Sequence, residues 1–192
     1  LHSIDFGEKL TKLNSSDFEG TGIVYLDIPN AVHYTGAKNV FTSSTLINVN
    51  APQLKRIGDY DFAYCKYLQK INAEKVSYLG THCFDGCTML KTFDASNVDT
   101  LASDALSFCY IDTFDAPKVK NFSLLEKYIT YSHIRVLKLP NITGVLDPKC
   151  FDNSYVEEMY FDNIMRMSSG FKASNNLKVL YMPKCANYID TK

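Results

Sequence analysis

The chain has 192 residues, of which 46% are hydrophobic and 21% are charged, and its formal net charge is −1. This composition is ordinary for a soluble folded protein, and the lack of a basic run argues against a nucleic-acid partner. No apolar stretch approaches the roughly 20 residues of a membrane-spanning helix, so we expect no membrane insertion in this segment.

An apolar pattern returns nine times along the chain, at intervals of 21 to 23 residues. The copies begin at Leu1, Ile23, Leu46, Leu68, Leu90, Ile111, Ile134, Val156 and Leu177. A fixed period of this length indicates one small supersecondary unit that is stacked many times. We therefore predict an α/β solenoid of about nine coils of roughly 22 residues each, forming a single domain over residues 1–192.

The first half of each copy predicts a strand. In the fourth copy, Ile71 and Ala73 stand at offsets 3 and 5 from Leu68, which is the period of two that a strand shows. Offset 6 is often a proline, which lacks the backbone N–H and so belongs at a strand boundary. These prolines are Pro29, Pro52, Pro117, Pro140 and Pro183. We expect the strands to be parallel and to line the concave face.

The second half of each copy predicts a return segment of short helices or turns on the convex side. A column of large apolar residues lies near offset 16: Phe18, Phe62, Phe84, Phe151 and Phe171, with Val40, Leu106 and Tyr128 in the other copies. Stacked coils lie about 4.8 Å apart, so these side chains should form a continuous internal row. The segment 123–132 departs most from the pattern and predicts a short helix or a protruding turn.

The third to fifth copies show the sequence pattern most clearly. Residues 54–71 are LKRIGDYDFAYCKYLQKI, and residues 76–93 are VSYLGTHCFDGCTMLKTF. Both resemble the pattern I-G-x-x-x-F-x-x-C-x-x-L-x-x-I of the BspA-like (Treponema-type) leucine-rich repeat family, and the resemblance extends over essentially the whole chain. It implies a leucine-rich repeat solenoid in a cell-surface or secreted adhesin that engages host matrix proteins or other cells.

The cysteines follow the repeat. Cys65, Cys87 and Cys109 share one column, in which other copies have Thr21, Ser43, Ser154 and Ser174. The column therefore requires a small side chain, which favours buried thiols. A disulfide between stacked neighbours remains an alternative, whereas the absence of a paired CxxC motif argues against zinc. Cys150 and Cys185 are interpreted as ordinary apolar substitutions.

Nothing in the sequence assembles a catalytic site. The four histidines, His2, His33, His82 and His133, have no partner at metal-ligand spacing. There is no phosphate-binding glycine loop and no GxSxG motif. We therefore expect a protein that is not an enzyme and that has no cofactor and no bound metal.

The residues at offset 4 of each copy, here called the offset-4 column, should point outward from the concave strands. They are Asp5, Asp27, Asn50, Asn72, Asp94, Asp115, Lys138, Tyr160 and Tyr181. The column changes from acidic and amide side chains to one cation and two phenols, and tyrosine suits binding interfaces. We predict that it binds a partner. A plain solvated strand face, and a weak Ca²⁺ site on a pair of aspartates, are the alternatives.

These observations predict a non-catalytic protein-protein interaction module, the adhesive or recognition region of a cell-surface or secreted protein. Its partner would be a protein or another cell-surface macromolecule. Two alternatives remain: a structural stalk, and a cytoplasmic scaffold, which six apparently unpaired cysteines would suit. No polar cap is visible at either end, so we expect a segment of a longer protein that is a monomer or part of that longer chain.

Overall fold

The computed structural model describes residues 3–6, 8–31, 33–34, 38–120, 129–168 and 176–188. Within these ranges the chain forms sixteen short strands and one 3-10 helix, Pro148–Phe151. The strands are β1 (Ser3–Asp5), β2 (Lys12–Leu13), β3 (Tyr25–Asp27), β4 (His33–Tyr34), β5 (Asn48–Asn50), β6 (Arg56–Ile57), β7 (Lys70–Asn72), β8 (Tyr78–Leu79), β9 (Thr100–Leu101), β10 (Tyr110–Asp115), β11 (His133–Lys138), β12 (Gly144–Leu146), β13 (Tyr155–Tyr160), β14 (Ile164–Met167), β15 (Val179–Tyr181) and β16 (Asn187–Tyr188).

The strands from the first half of each copy form one side of the molecule, here called the front face. Strands β1, β3, β5 and β7 make one parallel sheet, and β10, β11, β13 and β15 make another. Residues one repeat apart lie side by side: Leu26 pairs with Val49, and Val49 pairs with Ile71. The predicted stacking of parallel strands is therefore confirmed, and the five prolines at offset 6 lie in the turns after strand ends.

Two details of the predicted architecture are not supported. The fifth copy contributes to the front face only one isolated bridge, between Thr92 and Thr113, so the chain does not form nine equivalent coils. The predicted α component and the convex helices are also wrong for the described residues, in which the 3-10 helix is the sole helical segment. The fold is a parallel β-solenoid with almost no helix.

Where the chain is described, the second half of a copy contains a second strand, followed in most copies by a turn. The second strands pair as β2 with β4, as β6-β8-β9 and as β12-β14-β16. In the turn of the third copy, Tyr60 and Tyr64 have φ values of 58° and 59°, and left-handed residues recur in the other copies. An α-helix requires consecutive residues with negative φ, so two left-handed residues four positions apart exclude one.

Hydrogen bonds between coils hold these turns together. The backbone N–H of Phe62 donates to the carbonyl of Cys83 at 2.8 Å, and that of Phe84 donates to the carbonyl of Ala105 at 3.0 Å. The turn side is thus bonded from coil to coil much as the strand sides are. This satisfies backbone groups that a solenoid without helices would otherwise leave unpaired.

The core contains a stacked row of rings, here called the phenylalanine column. Phe18, Phe41, Phe62 and Phe84 follow one another with ring-centroid distances of 5.5, 4.7 and 5.5 Å, and adjacent ring planes lie within 17° of each other. The prediction that Val40 occupies this column is wrong, because the second copy is one residue longer and Phe41 takes the place.

The sixth copy shows a similar difference. Ser132 donates to the carbonyl of Ile129 three residues earlier, as Ser154 does to that of Phe151. Ile129 therefore occupies the column position that we predicted for Tyr128. Tyr128 itself, Phe171, Ser174 and most of the departing segment 123–132 lie outside the described residues.

Candidate functional site

The offset-4 column runs along the front face in register. Neighbouring strands pair Asp5 with Asp27, Asp27 with Asn50, Asn50 with Asn72, Asp115 with Lys138, Lys138 with Tyr160 and Tyr160 with Tyr181. The fifth copy is joined to β10 by an isolated bridge between Thr92 and Thr113, and Asp94 and Asp115 each follow that bridge by two residues. The structure therefore pairs the predicted residues in two runs, Asp5 to Asn72 and Asp115 to Tyr181, with Asp94 in the fifth copy between the two sheets. Nothing is described of the side chain of Asp5.

The first half of the column contains a chain of side-chain hydrogen bonds. Nδ2 of Asn72 donates to Oδ1 of Asn50 at 2.7 Å, and Nδ2 of Asn50 donates to Oδ1 of Asp27 at 2.9 Å. The amide groups share one orientation and end on a carboxylate, which accepts such a bond well. The amides are thus already paired, which fixes their orientation before any partner arrives.

A groove of about 1030 Å³ lies over this part of the front face. The offset-4 residues Asp27, Asn50, Asn72 and Asp94 form one side of it. The residues at offset 2 form the other side: Tyr25, Asn48, Lys70 and Thr92. A groove of this size is large enough for a segment of another macromolecule.

The second half of the column is aromatic and charged. The rings of Tyr160 and Tyr181 lie 6.0 Å apart and are tilted by 43°, and Nζ of Lys138 lies 5.8 Å from the centre of the Tyr160 ring. The hydroxyl of Tyr160 donates to Oε2 of Glu158 at 2.8 Å, and this bond raises the pKa of Tyr160. Tyr181 is 49% exposed, so its ring is available to a partner.

An ionic pair beside this column was not predicted. Arg135 contacts Asp112 through two hydrogen bonds, from Nε to Oδ1 at 2.6 Å and from Nη2 to Oδ2 at 3.1 Å. The hydrogen bond from Arg135 holds the pKa of Asp112 below its usual range. Asp112 and Arg135 each stand at offset 1, in successive copies. Their opposite charges at equal offsets were the signal that the sequence offered.

A row of stacked rings borders the front face and was also missed. Tyr110, His133 and Tyr155 precede the first aliphatic residue of three successive copies, and their ring centroids lie 4.4 and 5.3 Å apart. Nζ of Lys91 lies 5.3 Å from the centre of the Tyr110 ring. The recurrence of a ring one residue before three successive repeat starts would have predicted this row.

The cysteine column is structural. All six cysteines are free, and Cys65, Cys87 and Cys109 donate from Sγ to carbonyls of the preceding coil, at 2.9, 3.0 and 3.0 Å. Burial raises the pKa of the Cys65 thiol to about 11, so it stays protonated at neutral pH. The alternative of a disulfide is therefore wrong, and buried Ser44, with Oγ 3.3 Å from Sγ of Cys65, takes the place predicted for Ser43.

The described part of the chain contains no group of three or more His, Cys, Asp or Glu side chains that could hold a metal ion. Nδ1 of His82 lies 3.3 Å from Oδ2 of Asp85, and the imidazole stacks on the ring of Tyr60. Burial raises the pKa of Asp85, and His82 partly opposes this shift. The pair lies in the turns, away from the front face.

Comparison with known proteins identifies the repeat. A family model described as "BspA type Leucine rich repeat region" matches six copies, over residues 1–91 and 37–132, which is more than half of the chain. The chain belongs to the BspA-type leucine-rich repeat family. The family match supports about six repeats, not the nine that we predicted from the period. Leucine-rich repeat domains generally mediate protein interactions, and members of this family are typically surface-associated and generally not enzymes.

Comparison with solved structures also finds a match. The matches include the crystal structure of a leucine-rich repeat protein from Bacteroides ovatus, with 14% sequence identity and a TM-score of 0.47. The alignment covers 93% of this chain and 58% of that one, so the present chain spans little more than half the length of that protein. No curated protein matches the sequence. In the described residues, no helix has the length and apolar character needed to cross a bilayer.

Proposed function

We propose that residues 1–192 form one solenoid domain that acts as a non-catalytic protein-protein interaction module. It would be the adhesive or recognition region of a cell-surface or secreted protein. Its partner would be a protein or another cell-surface macromolecule, bound through the offset-4 column on the front face.

The outward-facing register within the two sheets of the front face supports this proposal best. Side chains from successive copies stand in register within each sheet, polar in the first sheet and aromatic at the end of the second. Solenoids bind macromolecules through such extended surfaces, and exposed tyrosines contribute contact area and a hydrogen bond at small entropic cost. Membership of a family that is typically surface-associated supports the location.

Binding to a panel of matrix proteins and to intact cells tests the proposal. The purified domain is immobilised, and binding is compared with that of a double variant, Tyr160→Ala with Tyr181→Ala. We expect at least about a tenfold loss, because interface tyrosines often contribute more than 1 kcal/mol each. Circular dichroism and the unfolding midpoint must stay close to those of the unchanged protein.

Tyr131→Ala is the matched control for the double variant. Tyr131 is 46% exposed, close to the 49% of Tyr181, but it lies in a turn, where its ring stacks on Phe108. A partner that contacts the offset-4 column should not distinguish this variant from the unchanged protein. Equal losses for both variants would contradict a specific role for the column.

The two alternatives predict different results. A stalk would bind nothing through this face, and the charge reversals Asp27→Lys and Asp94→Lys would have no effect on any partner. A cytoplasmic scaffold gains little support from the free cysteines. Five of the six are buried, so they would resist oxidation in either compartment.

A further inference from the structure

We propose that the groove over β1, β3, β5 and β7 binds an extended segment of a partner protein that has two basic side chains four residues apart. The residue midway between them would be polar and uncharged. This inference rests on the proposed function, because it names the kind of segment that the same face accepts.

The shape of the groove sets the direction of that segment. Between its two sides lie Leu26, Val49, Ile71 and Phe93, whose side chains are buried in the core. The floor is therefore backbone, and between β3, β5 and β7 its hydrogen-bonding groups are used in the strand ladders. A ligand chain cannot extend the sheet there. It must lie across the strands, along the stack, and be recognised by the side chains on either side.

The charges of the groove favour a cationic ligand. Asp27, Glu74 and Asp94 line it, against the single cation Lys70. Oδ1 of Asp27 accepts from Asn50, and Oδ1 of Asp94 accepts from the backbone N–H of Ser96. The Oδ2 atom of each of these two carboxylates accepts no hydrogen bond from the described residues. Each can therefore pair with a lysine or arginine of the partner.

The separation of the two carboxylates matches an extended chain. Asp27 and Asp94 lie three coils apart, which is about 14 Å at roughly 4.8 Å per coil. A strand-like ligand advances about 3.4 Å per residue and alternates its side chains, so residues i and i+4 share a side and also lie about 14 Å apart. Basic residues three positions apart would point to opposite sides.

The side chains in the middle of the groove determine which type of ligand residue fits between the two cations. Asn50 and Asn72 lie between the carboxylates, and both can offer a further amide hydrogen or carbonyl lone pair. Lys70 is two positions from Asn72 on β7, so both side chains project from the same face of the sheet, on opposite walls of the groove. It would repel a third cation, so residue i+2 should be an amide such as glutamine.

Two labelled peptides of identical composition test the spacing. The first, TKTQTKT, has lysines four residues apart, and the second, TKTQKTT, has them three apart. In fluorescence anisotropy titrations at low salt, we expect the first to bind about five-fold more tightly, the factor that one exposed ion pair provides. Asp27→Asn and Asp94→Asn should each remove that preference. Asp99→Asn, an exposed carboxylate outside the groove lining, is the matched control.

Three outcomes would overturn the inference: equal binding of the two peptides, groove variants that behave like Asp99→Asn, or no binding of either peptide. The earlier binding panel separates its failure from that of the proposed function. If a partner depends on Tyr160 and Tyr181 but the peptides show no preference, only the present inference fails. If neither the panel nor the peptides bind, both fail.

Discussion

Asn50 donates a hydrogen bond from its side-chain amide to Oδ1 of Asp27, 2.9 Å away on the neighbouring strand. Asn72 makes the same bond to Asn50, so three successive front-face strands are joined outside the backbone. The sequence placed these residues in one column but did not predict this chain of bonds. The two amides follow Asp27 along the column, and one of them bonds to its carboxylate.

Asn50→Asp should destabilise the domain. The change places a second carboxylate directly beside Asp27 and removes the amide donor, and like charges on paired strands destabilise by up to about 1 kcal/mol. Urea denaturation at pH 7 should show this loss, and added salt should reduce it. The matched control is Asn48→Asp on the same strand, whose neighbours are Tyr25 and Lys70. A larger loss in the control would contradict the role of the amide chain.

Phe62→Ala should be among the most destabilising single substitutions. The ring is fully buried and lies between those of Phe41 and Phe84, so its removal leaves a cavity in the phenylalanine column. Comparable substitutions cost about 3–5 kcal/mol. Phe108→Ala is the control, because Phe108 is 50% exposed. The unfolding midpoints of the two variants should differ widely, and similar midpoints would argue against a packed row of rings.

Cys65→Ser should alter the alkaline stability of the domain. Burial raises the pKa of this thiol from 9.0 to about 11, so the stability linked to the protonated thiol is complete below about pH 9 and is lost as pH rises through 11. Serine does not ionise there, and Ser44, Ser132 and Ser154 occupy the same column in other copies. The variant should therefore lose less stability than the unchanged protein between pH 9 and 11, by up to about 2–3 kcal/mol.

Denaturation at pH 7, 9 and 11 measures this difference. Cys185→Ser is the control, since Cys185 is partly exposed and lies outside the column. Its alkaline profile should match that of the unchanged protein. If Cys65→Ser and the unchanged protein lose the same stability between pH 9 and 11, ionisation of the Cys65 thiol is not linked to unfolding and the prediction is wrong.

Gly80→Ala should destabilise the contact between the third and fourth coils. A Cβ at this position would lie 2.6 Å from the carbonyl carbon of Gly58 and 2.7 Å from the backbone nitrogen of Asp59. Backbone atoms cannot yield as a flexible side chain can, so we expect a loss of about 1–3 kcal/mol in urea denaturation. Gly22→Ala, which meets nothing within 4 Å, should be neutral or slightly stabilising. Similar losses at both glycines would contradict the close approach.

The register of the offset-4 residues was predictable because it depends only on the repeat length. Once each copy has a strand, residues at equal offsets must pair, as Lys138 does with Tyr160 and Tyr160 with Tyr181. The contacts within the site were not predictable in the same way. The amide chain from Asn72 to Asp27 and the bidentate pair of Arg135 with Asp112 depend on side-chain rotamers, which the offsets leave open.

The sequence by itself determined that a unit of about 22 residues is stacked in parallel, because only neighbours at that period can bury each other's apolar side chains. The tertiary structure decided what the return segment is. Its apolar spacing fits a helix as well as a turn, and only the left-handed backbone at residues such as Tyr60 and Tyr64, with the bonds between coils, selects the turn. The tertiary structure also decided that Phe41, and not Val40, joins the phenylalanine column. The extra residue of the second copy could be accommodated at several places, and packing selects the place that keeps the rings stacked.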